Sequence, residues 1–438
     1  VIPNQQQLDY RHLWHPYTDI NRYEQAPYRS IERAEGVYLI DSEGKRYLDG
    51  IASWWALNLG HGHPRLVQAI QDQAATLQHC IIGNLAHPKA VELAAQLARL
   101  APGDLNHCYF ASDGSSAIEA ALKIALQYWV NQGRPGRNQF LGLELGYHGD
   151  TLGTIAVGFV PQFHGPFEHM LRPGLRAPVP FGFSASEEEA AMAEALPKLE
   201  AMFEQHHEEL AAVIVEPMCQ GAAGMRIYPA AYLRRIRELC DEHNVLLIAD
   251  EIAVGFGRTG TLWACDHAGV TPDILCLGKG LTGGYLPMSA AIVTEEIYDS
   301  FRNNGGPDKT FYDGHTFCGN PITSALAVAA LDVYTEEQIV ARIQPRITQL
   351  AAGMAQIAQH PAIENHKCLG MVGMCVVREE AGGVDLARRT TQRAMEMGLY
   401  LRPLGRVLYL WPPLITSDAE LADMVRLLEQ AIALSQPL

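Results

Sequence analysis

The stretch "NVLLIADEIAVGFGRTG" occupies residues 244–260. Its run Val245-Leu246-Leu247-Ile248-Ala249 has no polar alternation, the pattern of a strand covered on both faces. Two carboxylates, Asp250 and Glu251, stand at its C-terminal end, and a glycine-rich segment follows. In parallel α/β proteins ligands gather at that end of the strands. Asp250 is therefore either a cap for the next segment or one wall of a binding site.

Similar strand patterns recur on both sides of it, at residues 139–143, 212–215, 274–277 and 289–293. Most are separated by stretches long enough for a crossover helix, such as "AAYLRRIRELCDEH" at 230–243. "HCYFASDGSSAIEAALKIALQYWV" (107–130) reads as strand, tight turn and long helix, with Ile118, Leu122, Ala125, Leu126 and Trp129 at helical spacing. This alternation predicts an α/β protein with a mainly parallel sheet and helices on both faces. "GVYLIDSEGKRYLDGIASWW" (36–55) reads as a hairpin around the turn residues Asp41 to Gly44, and 64–78 as a helix. After about Asn320 a long Ala-rich helix begins, and then short strands and amphipathic helices follow, as in "MVGMCVV" and "AELADMVRLLEQAI". They predict a second, smaller α+β domain, which the N-terminal hairpin joins. The Glu-rich stretch 187–194 is a solvated helix face or a loop.

A chain of 438 residues is long enough for one large domain and a smaller one. Its net charge of -16 argues against a nonspecific nucleic-acid surface. Nine cysteines without a C-x-x-C pair argue against a zinc knuckle or a redox dithiol and fit a reducing, cytoplasmic compartment. The seventeen histidines are dispersed, with no H-E-x-x-H, and no metal site is expected. Neither a leader peptide nor an apolar run of membrane-spanning length is evident.

The chemistry-bearing residues lie at strand ends. Lys279, in "ILCLGKGLTGGYLP", is flanked by glycines just after an apolar run. It either faces solvent or lies beside Asp250 across neighbouring strands. A cofactor that wants both is pyridoxal phosphate (PLP): a lysine forms its Schiff base, and a carboxylate pairs with the pyridine nitrogen. "FASDGSSAIEAAL" places Ser112-Asp113-Gly114-Ser115-Ser116 between a strand and a helix. That is either an ordinary N-cap or a phosphate cradle of free N–H groups. Tyr147, in "GYHGD", could stack on a flat heterocycle or pack at the edge of the core.

From Gly114 through Asn320 the chain resembles the fold-type I, class III (subgroup II) PLP-dependent aminotransferases. The resemblance rests on "DGSSAIEAALKIA", "GYHGDT", "VIVEP", "QGAAGM", "LLIADEIAVGFGRTG", "LCLGKGLTGG" and "HTFCGNP". It implies a mostly parallel seven-stranded sheet in a large cofactor domain (61–325), with residues 1–60 and 326–438 supplying a small α+β domain. It further implies that Lys279 is the Schiff-base lysine and Asp250 the pyridine-nitrogen partner. Gly114 and Ser115 would bind the phosphate, Tyr147 would stack on the ring, and Glu216 would lie near the Asp250 side of it. Thr316 would reach the phosphate across the interface of a homodimer with shared active sites.

Three further stretches resemble the members that aminate 8-amino-7-oxononanoate in biotin biosynthesis, with S-adenosylmethionine as amino donor. "RHLWHPYT" carries Tyr17, "SWWALNLGHGHP" carries Trp54 and Trp55, and "GLYLRPLGRVLYLWPP" carries Arg402 and Tyr409. The resemblance implies that these five line the substrate site, with Arg402 receiving a carboxylate. A long aliphatic oxo acid needs such an apolar tunnel with a guanidinium at its far mouth. Read singly, the tryptophans would be core or interface residues and Arg402 a surface residue. "GNLAH" (83–87) and Asp313-Gly314-His315-Thr316 depart from the pattern of those members. The alternative is a broad ω-amine:pyruvate transaminase of the same family.

Overall fold

The computed structural model describes residues 4–436. Its largest sheet has seven strands, here β1 Leu105–Ala111, β2 Gln139–Leu143, β3 Leu175–Ala177, β4 Leu210–Val215, β5 Leu246–Asp250, β6 Ile274–Leu277 and β7 Ser289–Thr294. The spatial order is β1-β7-β6-β5-β4-β2-β3. β5 is buried along its whole length and pairs in parallel with β4 (Ile248↔Ile214) and β6 (Asp250↔Cys276). β2 pairs in parallel with β3 and β4.

The mainly parallel expectation holds for these pairs and fails at β7, which is antiparallel to both β6 and β1. The reason lies in the segment 278–288. It contains only the 3₁₀ turn Lys279–Thr282, and a parallel return needs a longer crossover, usually a helix. Helix Gly114–Asn131 leaves β1 and crosses one face of the sheet. Ile118, Ala121, Leu122, Ala125 and Trp129 are buried there against Ile214, Ile248 and Cys276.

The hairpin forms around Asp41, whose carboxylate accepts the N–H groups of Glu43 and Lys45, while Gly44 supplies φ +83°. Its strands Tyr38–Asp41 and Arg46–Asp49 end earlier than the sequence suggested, and Leu399–Tyr400 from the C-terminal part adds in parallel to Arg46–Asp49. A three-stranded antiparallel sheet (Ile363–Leu369, Val372–Val377, Val407–Leu410) lies near helices Gln344–Ile357 and Gly383–Glu396, and helix Asp418–Leu434 packs on both of those helices. The Glu-rich stretch belongs to helix Ala185–His206, which Ser184 and Glu187 open as a capping box.

After Asp49 the backbone turns left-handed over four successive non-glycine residues: Ala52, Ser53, Trp54 and Trp55, at φ 47°, 45°, 70° and 68°. Each such residue costs on the order of 1–3 kcal/mol and persists only when its surroundings over-determine it. Asp49 does much of that here. Fully buried, it accepts both the N–H (2.9 Å) and the hydroxyl (2.6 Å) of Ser53, and His61 lies 3.2 Å from it.

The glycine-rich segment after Asp250 has a packing reason. Gly257 and Gly260 adopt φ +93° and +101°, and between them Arg258 turns fully into the core. Its guanidinium donates to the carbonyls of Met371 and Pro412 and to Asn58 Oδ1, and stacks over Trp411. This one side chain ties the segment following β5 to both terminal parts of the chain. No carboxylate pairs with it among the described residues, and burial pulls its pKa down to about 9.

Glu251 is equally buried. Its two oxygens accept the N–H groups of Ala264 and Cys265, and burial raises its pKa from 4.5 to about 7. A carboxyl whose folded pKa lies above its unfolded one binds its proton more tightly when folded. Its stabilising contribution is complete below about pH 4.5 and is lost as pH rises through about 7. Glu251→Gln removes that titration. The difference in Tm between wild type and Glu251→Gln is therefore expected to shift in favour of the variant between pH 5 and 8. A Tm difference that stays constant over this range would refute it.

Candidate active site

Asp250 ends β5 and Lys279 follows β6, the adjacent parallel strand, so the two functional groups face one cavity of about 230 Å³. Trp55, Gly114, Ser115, Tyr147, His148, Glu216 and Ile252 also line it. Asp250 is thus part of a site and more than a cap. One of its oxygens accepts the N–H of Ile252 at 3.1 Å, and the other meets His148 Nδ1 at 2.8 Å. His148 is buried, and its Nε2 has no partner among the described residues.

Lys279 stands in a left-handed turn (φ 42°) between Gly278 and Gly280, with Nζ 5.6 Å from the centre of the Trp55 ring. Burial lowers its pKa, and the charges of Asp250 and Glu216 draw it partly back up. A depressed ammonium pKa favours the free amine that nucleophilic chemistry requires. Glu216 accepts the N–H groups of Tyr147 and Gly221, each at 3.0 Å. Burial raises its pKa to about 7; His148 opposes that rise, and Asp250 adds to it.

At the other end of the cavity Asp113 caps helix Gly114–Asn131 through the N–H of Ser116. The N–H groups of Gly114 and Ser115 have no protein acceptor among the described residues, and the Ser115 hydroxyl is close by. A helix N-terminus with two free donors is suited to a phosphate. The cavity thus offers an anion cradle, an apolar wall (Ile252), an aromatic (Tyr147), a buried carboxylate and an amine. That donor set fits PLP. Tyr147 is held by Asp150, which accepts its hydroxyl at 3.0 Å and that of Tyr17 at 2.5 Å.

Lys279 also opens onto a larger cavity of about 1150 Å³, lined by Tyr17, Trp54, Trp55, Arg402 and Tyr409. Trp55 is buried, and its indole N–H reaches the Tyr409 hydroxyl at 3.3 Å. Trp54 is partly exposed, with its face under the Arg402 guanidinium at 4.4 Å and its ring 5.6 Å from that of Tyr17. One Arg402 nitrogen donates to the Tyr17 carbonyl at 2.7 Å, which leaves other N–H donors of the fork for a ligand. The five residues assigned to the substrate site therefore meet in one place.

Thr316 does not join them. It lies in an exposed stretch and lines neither cavity of its own chain; neighbouring His315 contacts Ser112 Oγ at 3.2 Å. The sequence reading assigned no role to His148, Asp150 or Ile252. The first two stand in the quoted "GYHGD", where two titratable groups beside an aromatic were the available signal. Ile252 gave none beyond its place two residues after Asp250.

Residues 20–432 match the family Aminotransferase class-III. The chain belongs to this family. Adenosylmethionine-8-amino-7-oxononanoate aminotransferase of Geobacter sulfurreducens is 38% identical, over 97% of this chain and 96% of that protein. The crystal structure of the protein of the same name from Methanocaldococcus jannaschii superposes with a TM-score of 0.93 at 35% identity, covering 99% of both chains. An amine transaminase from an uncultivated Pseudomonas species, in its PLP-bound form, reaches 0.90 at 32% identity over 96% of this chain and 98% of that one. The class III aminotransferase is a fold-type I, PLP-dependent transaminase, with a small-molecule amino donor and acceptor.

Proposed function

We propose that the protein transfers an amino group from S-adenosylmethionine to 8-amino-7-oxononanoate, giving 7,8-diaminononanoate, the reaction named in the relatives from Geobacter and Methanocaldococcus. One structural observation carries this reading: an aromatic cavity joins the Lys279 amine to the Arg402 guanidinium. An aliphatic oxo acid with a remote carboxylate matches both ends of that cavity.

PLP, when bound, supplies the aldehyde that takes up the donor's amine and the ring that withdraws electrons from the carbon bearing it. Lys279 is the proposed anchor of that aldehyde and the base that moves the proton at Nζ, with Asp250 facing the pyridine nitrogen. Gly114 and Ser115 hold the phosphate, and Tyr147 covers the ring. Glu216 acts beside them by fixing the Tyr147 and Gly221 backbones. Trp54, Trp55, Tyr17 and Tyr409 exclude water from the apolar chain of the substrate.

The exposed position of Thr316 supports a homodimer in which it completes the partner copy's phosphate site, and the exposed apolar side chains of Ile81, Leu85 and Phe317 are suited to such a contact. The domain division at 60 and 325 and a cytoplasmic setting are part of the same reading; nine free cysteines suit a reducing compartment.

Arg402→Ala is expected to raise the KM for the oxo acid by roughly tenfold to a hundredfold, the range for losing a charge-assisted hydrogen bond. Short amine donors without a carboxylate should be little affected. An equal loss for both substrate classes would make Arg402 a support for Tyr17 and Trp54 instead. The donor is tested without acceptor, by following the conversion of bound cofactor to its aminated form. Rapid conversion with S-adenosylmethionine supports the reading. Conversion only with alanine or 1-phenylethylamine would favour the ω-amine:pyruvate reaction, which the likeness to an amine transaminase brings into view.

A further inference from the structure

The larger cavity carries charges that the reading above leaves unused. Besides Lys279 and Arg402, Arg22 and Arg388 line it, and Asp19 is the one acidic residue among its lining. With Lys279 set aside as a free amine, three arginines to one carboxylate is a local reversal of sign in a chain of net charge -16. Arg388, Thr391 and Gln392 stand at i, i+3 and i+4 on helix Gly383–Glu396, so a single helix face brings a guanidinium, a hydroxyl and a carboxamide to the cavity.

Neither outer arginine is firmly neutralised. Arg388 contacts Asp385 at 3.3 Å, but the side chains of both are well exposed, at 44% and 76%. Such pairs hold weakly. Arg22 Nε lies 3.4 Å from Asp19 Oδ2, and both side chains are well exposed, so this pair too holds weakly. Arg402, by contrast, is half-buried and fixed on Trp54 and Tyr17. Exposure thus falls from a solvated cationic rim to one guanidinium held by contacts.

We propose that Arg388, assisted by Arg22, is an anion-gathering site at the mouth of the substrate cavity, which draws in the carboxylate of an incoming oxo acid before Arg402 holds it. The ligand class is a long-chain monocarboxylate, and the proposal rests on the acceptor assigned above. Electrostatic capture at a mouth lined by one sign of charge accelerates association and is screened by salt.

The test uses the holoenzyme and two probes of equal length, nonanoate and its uncharged amide, nonanamide. Each is assayed as an inhibitor of the half-reaction with an amine donor that carries no carboxylate. Arg388→Glu is expected to weaken inhibition by nonanoate roughly fivefold to tenfold at about 10 mM salt and to leave nonanamide unchanged. The effect should vanish near 1 M salt, and Arg388→Lys should behave as wild type. Equal weakening of both probes, a salt-independent effect, or no effect of Arg388→Glu would overturn the proposal. If the nonanoate result holds while 8-amino-7-oxononanoate is not aminated, the rim stands and only the acceptor assignment falls.

Discussion

Lys279→Ala is expected to lower transaminase turnover by roughly 10⁵-fold or more, the scale seen when a covalent catalytic group is removed. The smaller cavity explains why no neighbour can substitute. Lys279 carries the only side-chain amine among its lining residues. His148 lies buried against Asp250, and both oxygens of Glu216 are taken up by backbone N–H groups. Trp55, beneath the amine, is locked by Tyr409 and Trp411 and offers no proton acceptor. The variant should still fold, because the turn is held by backbone bonds from Leu281 to Gly278 and from Gly284 to Lys279. The measurement is single-turnover chemistry with added PLP, together with the visible absorbance that a lysine-linked cofactor gives. Retention of both at wild-type levels would remove Lys279 from the mechanism.

The parts of this site that could be read from the sequence are those that obey strand logic. Asp250 and Lys279 follow uninterrupted apolar runs, and buried parallel strands place such residues side by side at one sheet edge. The phosphate cradle was visible as a strand-turn-helix transition but was indistinguishable from an ordinary cap until the cavity was seen at its end. Contacts of long sequence separation were not legible. Nothing local announces that Tyr17 and Tyr147 share Asp150, or that Arg402 lies on Trp54. Local pattern misled at Ala52–Trp55. These residue types favour neither glycine-like turns nor positive φ, and the conformation depends on side-chain partners, Asp49 holding Ser53 and the distant Tyr409 and Trp411 holding Trp55. At β7 the apolar run was read correctly as a strand, but direction depends on the connection, and the loop carrying Lys279 is too short for a crossover.

Asp250→Asn tests charge with shape held constant. The side chain is isosteric, and its remaining oxygen can keep the Ile252 N–H. The amide group then faces His148 Nδ1, so the imidazole must accept at Nδ1 and carry its proton on Nε2, the atom now without a partner. Such a rearrangement needs no backbone movement, and Tm should change little. Chemistry should respond differently. A carboxylate opposite the pyridine nitrogen keeps that nitrogen protonated, whereas a neutral amide does not. Proton removal by Lys279 in the first half-reaction should slow by roughly 10²- to 10³-fold, the scale for losing a preorganised electrostatic partner in a water-excluded site. Because Asp250 also supports the Lys279 ammonium, its neutralisation should lower the lysine's pKa further. The loss therefore cannot be recovered by raising the pH, since a scarcer ammonium already leaves the base free. Stopped-flow rates with a saturating donor across pH separate the two effects. Equal rates at high pH, with the variant faster than wild type at low pH, would mean that Asp250 acts through the lysine and not through the cofactor ring.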